Sequence, residues 1–260
     1  MTPADANLQK LRRRLMARIH RRYVTTTRSV RIAELELEFT RIADPDLVLD
    51  EVAEEADRRE RVSGKREPDE HLHLPYWAEL WESATGIGQF LVKEENTDKN
   101  DIQTRGRKSS PPLVASSSTL DLGCGMGLSG TVAAALGRKV LFADLEPPAL
   151  LFAQLNSLPW AVRVRTRRLN WQKDRLDEQF ARIIGADILY ERAQWEYLDP
   201  FWQHHLAPHG DVLLGEPGRQ TGDLFIPWVQ ARGWSLQIFE EKVPTRERPV
   251  RIFRLTRKRP

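Results

Sequence analysis

The fold is decided by residues 120–130, which read LDLGCGMGLSG. A short apolar run at 119–122 enters a turn of alternating glycines, and the small-residue pattern of a helix follows at 128–136. Glycine permits positive φ and lets a ligand approach the backbone closely. Open α/β sheets bind ligands at such turns, where a parallel strand ends. The stretch therefore predicts a strand–turn–helix unit with a ligand at the turn.

Strands and helices alternate along the chain beyond this turn. Further strands are predicted at 139–144, 162–169, 186–190, 211–215, 235–240 and 250–255. Helices are predicted at 147–158, 194–206 and 223–232. This alternation predicts a doubly wound, mostly parallel, seven-stranded Rossmann-like α/β sheet. The short link between the last two strands predicts an antiparallel final strand.

The region before the sheet has a different pattern. Residues 1–71 predict an amphipathic helix, a hairpin within 28–42, an acidic helix at 46–61 and a charged linker. Residues 72–260 form the predicted main domain, which begins with an aromatic helix at 75–92. The polar stretch 93–118 is expected to be a flexible insertion in that domain.

Composition and charge exclude several classes of protein. The 260 residues are 40% hydrophobic and 30% charged, and no apolar run approaches the ~18 residues that a membrane span needs. The single cysteine, Cys124, rules out an intramolecular disulfide and a zinc cluster. No histidine pattern indicates a metal site. Without an apolar leader at the start, we expect a cytoplasmic protein.

The net charge of +3 is unevenly distributed. Residues 1–23 and 246–260 each carry +6, which leaves −9 for the rest of the chain. The N-terminal arginines interrupt a helical pattern of leucines. That segment fits a helix that packs on the domain, and contact with nucleic acid or an organelle transit peptide are the alternatives.

Two cofactors fit the glycine turn. Residues 125–130 satisfy the G-x-G-x-x-G fingerprint of dinucleotide-binding proteins. Asp121, Gly123, Gly125 and Gly127 satisfy the D-x-G-x-G-x-G pattern of S-adenosylmethionine enzymes. Asp121 would repel a pyrophosphate but suits the ammonium end of a methionine. S-adenosyl-L-methionine is therefore the favoured cofactor.

Other residues extend the candidate cofactor site. Asp144, with Leu145 beside it, ends the next strand, where a carboxylate can bind both hydroxyls of a ribose. Asn170 and Trp171 follow the third strand and are placed to contact the adenine by hydrogen bond and stacking. Trp81 is expected to line the same pocket. Ordinary core packing is the alternative for both tryptophans.

Several segments resemble the lysine-methyltransferase branch of the class I, seven-strand methyltransferases. The glycine turn, Asp144 and the D-x-x-Y segment at 187–190 resemble that branch, as does the P-Y-W-A segment that precedes Trp81. The G-E-P-G-R segment at 215–219 is similar to the G-D-P-G-R of electron-transfer flavoprotein β-subunit lysine methyltransferases, with glutamate in place of aspartate.

This resemblance implies an acceptor site and an activity. Asp187 and Tyr190 would face the acceptor nitrogen, Glu191 would add negative charge, and Glu216 and Arg219 would border the cleft. The expected activity is S-adenosyl-L-methionine-dependent N-methylation of a protein lysine. A small-molecule amine or azaheterocycle methyltransferase, an RNA or DNA methyltransferase and a non-catalytic cofactor-binding protein are the alternatives. The sequence leaves the oligomeric state open.

Overall fold

The computed structural model describes residues 3–63, 75–105 and 118–258. Its strands are β1 Thr25–Ile32, β2 Leu35–Ile42, β3 Ser118–Leu122, β4 Lys139–Asp144, β5 Val164–Arg168, β6 Phe180–Ala186, β7 Leu206–Glu216, β8 Trp234–Glu241 and β9 Val250–Arg257. Its α-helices are α1 Pro3–Ile19, α2 Pro45–Ser63, α3 Glu82–Arg105, α4 Leu128–Ala135, α5 Pro147–Asn156, α6 Trp195–His205 and α7 Gln220–Ala231. Short 3₁₀ turns lie at Tyr76–Ala78, Leu158–Arg163 and Arg192–Gln194. No helix in these described ranges is long and apolar enough to cross a membrane.

The seven strands from β3 to β9 form one sheet in the order β5-β4-β3-β6-β7-β9-β8. The first five strands pair in parallel, whereas β9 runs antiparallel to both β7 and β8. The separate hairpin β1–β2 forms a second, two-stranded sheet. The predicted fold, including its antiparallel final strand, is confirmed.

The sheet is buried on both faces. One core lies between the sheet and α3, α4, α5 and the N-terminal elements, and the other lies beneath α6 and α7. Residues 140–144 of β4 are therefore all buried. A strand covered on both faces reads as a continuous apolar run rather than as an alternation. This is why β4 could be found by its hydrophobicity alone.

The N-terminal helix packs on the main sheet domain. Leu15 and Ile19 of α1 are buried in the first core, against α5. Asn156, at the end of α5, accepts from the backbone N–H of Thr40 at 2.8 Å and donates to the carbonyls of Thr40 and Met126 at 3.0 Å each. One buried amide thus ties the hairpin to the helix and to the glycine turn.

Two predicted elements were placed incorrectly. The fourth strand of the sheet was predicted at 186–190, but β6 ends at Ala186, because Phe180, Ile183 and Ile184 supply its buried side chains. The predicted helix at 75–92 begins only at Glu82, after a 3₁₀ turn and an extended Glu79. Trp77 therefore lies in the 3₁₀ turn, and Trp81 directly precedes the helix.

The predicted insertion at 93–118 was wrong in its first half, because residues 93–105 continue α3. Glu94 of this helix pairs with Arg182 of β6 at 2.5 Å and with Arg254 of β9. Arg182 also forms a bidentate pair with Asp211 of β7, at 2.6 and 2.7 Å. This ion-pair network anchors a polar helix to the sheet. Residues 106–117, like most of the predicted linker, lie outside the described residues.

The Asn156 bridge generates a stability prediction. Replacing Asn156 with Ala leaves buried backbone groups of the hairpin and turn without partners, so we expect a loss of about 1–3 kcal/mol in the free energy of unfolding. Urea denaturation measures it. The control is Ser29→Ala, which removes an exposed hydrogen bond to Glu36 and should change stability by less than about 0.5 kcal/mol. Equal losses in the two variants would contradict the proposed bridge.

Candidate active site

The turn between β3 and α4 holds its backbone in a conformation that favours glycine. Gly123, Gly125 and Gly127 have φ of 64°, 51° and 85°. A Cβ at Gly127 would lie 2.7 Å from the Cβ of Ala153, and one at Gly123 would lie 2.9 Å from Ile188. The backbone conformation therefore favours glycine at all three positions, and the lack of space adds to this at Gly123 and Gly127.

Asp121 lies beneath this turn. Its carboxylate is buried and accepts a hydrogen bond of 2.8 Å from the backbone N–H of Gly130, in the first turn of α4. Burial raises the pKa of Asp121 to about 8, and repulsion from Asp144 adds to the shift that the Gly130 hydrogen bond opposes. Asp121 thus braces the turn from within, and its predicted contact with the cofactor's amino group stays a prediction.

Asp144 joins the glycine turn to the end of β4. Its two carboxylate oxygens accept from the backbone N–H groups of Gly125 at 2.8 Å and Glu146 at 2.9 Å. Burial raises the pKa of Asp144 to about 6, against the opposing effect of these hydrogen bonds. Each oxygen keeps a lone pair for a ribose hydroxyl. Leu145 follows directly, and its carbonyl accepts a hydrogen bond from Arg168.

Trp171 lies against the turn from the side of β5. Its ring comes within 3.4 Å of where a Cβ of Gly123 would be, and its indole N–H donates to Gln194 at 3.0 Å. The side chain of Asn170 instead accepts from the backbone of Gln172, so it shapes its own loop. Gln194 was missed by sequence reasoning, because a lone glutamine in a 3₁₀ turn carries no recognisable motif.

Asp187 follows β6 immediately, at a φ of 55° that non-glycine residues rarely adopt. Its carboxylate is only 6% exposed and forms a bidentate ion pair with Arg219, at 2.8 and 3.2 Å. The guanidinium of Arg219 lies over the ring of Trp81 at 5.5 Å. The structure thus brings together three residues predicted to surround the acceptor and cofactor.

Glu216 does not border the cleft, and this expectation was wrong. Its carboxylate is 3% exposed, accepts from the backbone N–H groups of Gly218 and Arg219, and pairs with Arg251 of β9. The longer side chain lets Glu216 fold back on its own loop. Arg219, as predicted, does line the cleft.

Three aromatic side chains, Tyr190, Tyr76 and Trp81, contact one another in a row that we call the aromatic wall. The rings of Tyr190 and Tyr76 meet edge to face at 5.6 Å, and Tyr76 meets Trp81 at 6.3 Å. Desolvation, followed by repulsion from Glu191, raises the pKa of Tyr190 to about 12, so its hydroxyl keeps its proton at neutral pH. Glu191 itself is exposed and accepts a hydrogen bond from Gln194 at 3.1 Å.

A cleft of about 320 Å³ opens beside Asp187. It is lined by Trp81, Glu82, Asp187, Pro217, Gly218, Arg219 and Arg246. Arg246 comes from the loop between β8 and β9, and the sequence gives no sign that this loop reaches the cleft. Within the described ranges, no cluster of His, Cys, Asp or Glu could hold a metal ion. Burial, with repulsion from Asp144 and Asp121, raises the pKa of the Cys124 thiol.

The family is decided by a comparison with known proteins. Residues 76–226 match the model of the lysine methyltransferase family. The chain belongs to this lysine methyltransferase family. The match begins at Tyr76 and so includes the glycine turn, Asp121, Asp144, Asp187 and the aromatic wall. The predicted class, an S-adenosyl-L-methionine-dependent methyltransferase, is confirmed, and the arrangement of the glycine turn, Asp144 and Trp171 fits that cofactor.

Curated relatives in the lysine methyltransferase family act on several proteins. The electron transfer flavoprotein beta subunit lysine methyltransferase of Mus musculus is 30% identical over 152 residues, which are 56% of this chain and 51% of that protein. EEF1A lysine methyltransferase 3 of Mus musculus is 27% identical over 55% of this chain and 56% of its own. Protein N-lysine methyltransferase METTL21A of Xenopus tropicalis is 38% identical over 39% of this chain and 49% of that protein. The chain spans about half the length of these relatives.

Solved structures support the fold. The ribosomal protein L11 methylase of Lactobacillus delbrueckii subsp. bulgaricus has a TM-score of 0.52 at 15% identity, over 70% of this chain and 81% of that one. The glycopeptide N-methyltransferase MtfA, in complex with S-adenosyl-L-homocysteine, has a TM-score of 0.50 at 13% identity, over 63% of this chain and 89% of that one. At such identities the likeness shows the methyltransferase fold alone.

The first prediction for the site concerns Asp144. Asp144→Ala removes a ribose acceptor and loosens the turn at Gly125, so we expect S-adenosyl-L-methionine to bind about 1.5–3 kcal/mol more weakly by calorimetry. Wild-type affinity should fall as pH decreases through about 6, because protonation of Asp144 removes acceptor lone pairs. Glu146→Ala, which keeps its backbone N–H, is the control. If Asp144→Ala binds S-adenosyl-L-methionine with the affinity and the pH dependence of the wild type, this role of Asp144 is wrong.

The second prediction separates Asp187 from the donor site. Asp187 contacts Arg219 and the cleft rather than the glycine turn, so Asp187→Ala should keep the wild-type affinity for S-adenosyl-L-methionine. Turnover should fall about 10²-fold, since the acceptor loses the group that orients it. Calorimetry and a methyl-transfer assay give the two values. A parallel loss of donor binding would show that the division of roles is wrong.

Proposed function

We propose that this protein transfers a methyl group from S-adenosyl-L-methionine to a lysine side chain of a protein. The observation that carries the proposal is the arrangement of Asp187 and two tyrosine rings beside the glycine turn, within the residues that match the lysine methyltransferase family. The names of the relatives, which all specify protein lysines, add support.

The donor side of the site is built from backbone, one carboxylate and one aromatic side chain. The opened turn at Gly123 and Gly125 provides the close approach that the methionine part requires, and Asp144 provides acceptors for the ribose hydroxyls. Trp171 offers an aromatic surface beside Gly123 for the adenine. The cofactor supplies an electrophilic methyl group on a sulfonium, and its C–S bond electrons leave with a neutral thioether that needs no proton.

The acceptor side must present a neutral amine in line with that methyl group. Placing the two reactants in this geometry is the main contribution of the protein, because no strong acid or base is needed for the leaving group. The faces of Tyr76 and Tyr190 are suited to the positive charge that develops on nitrogen. In this proposal Asp187, which pairs with Arg219, orients the amine beside these rings.

A labelling experiment tests the proposal. The purified chain is incubated with host-cell lysate and S-adenosyl-L-methionine that carries a labelled methyl group, and aliquots are then digested with protease or nuclease. We expect label that protease releases and nuclease does not, located on methylated lysine after acid hydrolysis. The Asp144→Ala variant, which binds the donor weakly, is the control for label added by the chain itself.

Other outcomes identify the alternatives. Label that nuclease releases would show a nucleic-acid acceptor, and label in a small-molecule filtrate would show a small amine. Binding of S-adenosyl-L-methionine by calorimetry without transfer to any fraction would indicate a cofactor-binding protein without catalysis. Each of these three results would refute methylation of protein lysine.

A further inference from the structure

The carboxylate that faces the acceptor already has a cationic partner. Asp187 receives two hydrogen bonds from the guanidinium of Arg219, from Nη2 at 2.8 Å and from Nε at 3.2 Å. This bidentate geometry is the strong form of the arginine–carboxylate pair. An incoming lysine ammonium therefore does not meet a free negative charge at Asp187. It meets a neutralised pair whose positive member lies at the cleft.

Arg219 is held in this position from three sides. Its backbone N–H donates to the buried carboxylate of Glu216, which also accepts from Gly218, at a φ of 91°, and is pinned by Arg251. Its guanidinium lies over the ring of Trp81 and against Asp187. Although 42% of its side chain is exposed, these contacts together fix the cation of Arg219 beside the acceptor carboxylate.

Charged groups from several of the described elements lie around the pair. Glu79 and Glu82 approach from the segment before and at the start of α3, and Glu216 lies behind the loop of Arg219. Arg246 approaches from the β8–β9 loop and pairs with Glu82 at 3.9 Å. On the side of Asp187, Tyr190 keeps its proton and Glu191 is exposed to solvent.

We propose that Arg219 is a positioning residue that keeps the acceptor amine neutral in the complex, by neutralising Asp187 and presenting a fixed cation to the cleft. Lysine has an ordinary pKa of about 10.4, so most of it is protonated at neutral pH and cannot attack a methyl group. A nearby carboxylate would raise that pKa further, whereas a nearby cation lowers it. This inference rests on the proposed function, and it assigns a specific task to one residue of that site.

The test compares Arg219→Gln and Arg219→Lys with the wild type, on the acceptor protein recovered by lysate labelling. The quantity measured is kcat as a function of pH at saturating acceptor, because kcat reports ionisations in the enzyme–substrate complex. The apparent pKa on the acidic side of the kcat profile reports the acceptor amine. In Arg219→Gln the free Asp187 should raise this apparent pKa by about 1–3 units, so that kcat near neutral pH falls about tenfold for each unit. KM at neutral pH should stay equal or fall, because the ammonium form now binds well.

Two controls separate this role from a structural one. Arg219→Lys keeps a cation, so the apparent pKa of its kcat profile should stay close to that of the wild type, even if its maximal rate is lower. Arg232→Gln removes a matched arginine far from the cleft, one that also pairs with a carboxylate, Glu196, and covers a tryptophan, Trp228. Its profile should be unchanged. Asp121, with a pKa of about 8, titrates in every variant and cancels in the comparison.

The outcomes distinguish the inference from the proposed function. Calorimetry with S-adenosyl-L-methionine first establishes that each variant is folded and binds the donor. If Arg219→Gln lowers kcat equally at every pH, Arg219 has only a structural role and the inference is wrong. If the wild type labels no protein lysine at all, the proposed function fails and the inference fails with it.

Discussion

The structure of the site depends on two buried carboxylates beneath one glycine turn. Asp121 holds the amide of Gly130, and Asp144 holds the amide of Gly125. Both are removed from water, and both have raised pKa values because burial disfavours their charge. Their hydrogen bonds fix a backbone that glycine adopts without strain. The same arrangement that costs solvation energy thus holds the turn open for a ligand.

The donor and acceptor walls share their supports. Gln194 accepts from the indole of Trp171 on the donor side and donates to Glu191 on the acceptor side. Across the cleft, the indole N–H of Trp81 donates to the carbonyl of Tyr76, whose ring meets Tyr190. A displacement in line requires both reactants to be held in one frame. In the proposed function, these short chains of hydrogen bonds and ring contacts are what provides that frame.

The sequence predicted what local pattern determines. The strand–turn–helix unit at 118–135 and the position of Asp144 follow from glycine spacing and buried apolar runs. The start of β6 did not, because Arg182 interrupts its apolar pattern and is satisfied by Glu94 and Asp211, which lie 88 and 29 residues away. The pair between Asp187 and Arg219 spans 32 residues and likewise depends on parallel strands ending at one edge. No local periodicity encodes such contacts.

The uneven charge of the sequence also serves contacts between distant elements. The C-terminal segment 246–260 carries +6, yet its arginines are largely used inside the fold. Arg251 and Arg254 pair with carboxylates of other elements, and Arg246 and Arg257 donate to backbone carbonyls. The basic C-terminal segment is thus neutralised by carboxylates of other elements, at the pairing of β9 with β7. There Arg251 fixes Glu216, and the loop that Glu216 shapes carries Arg219 to the cleft.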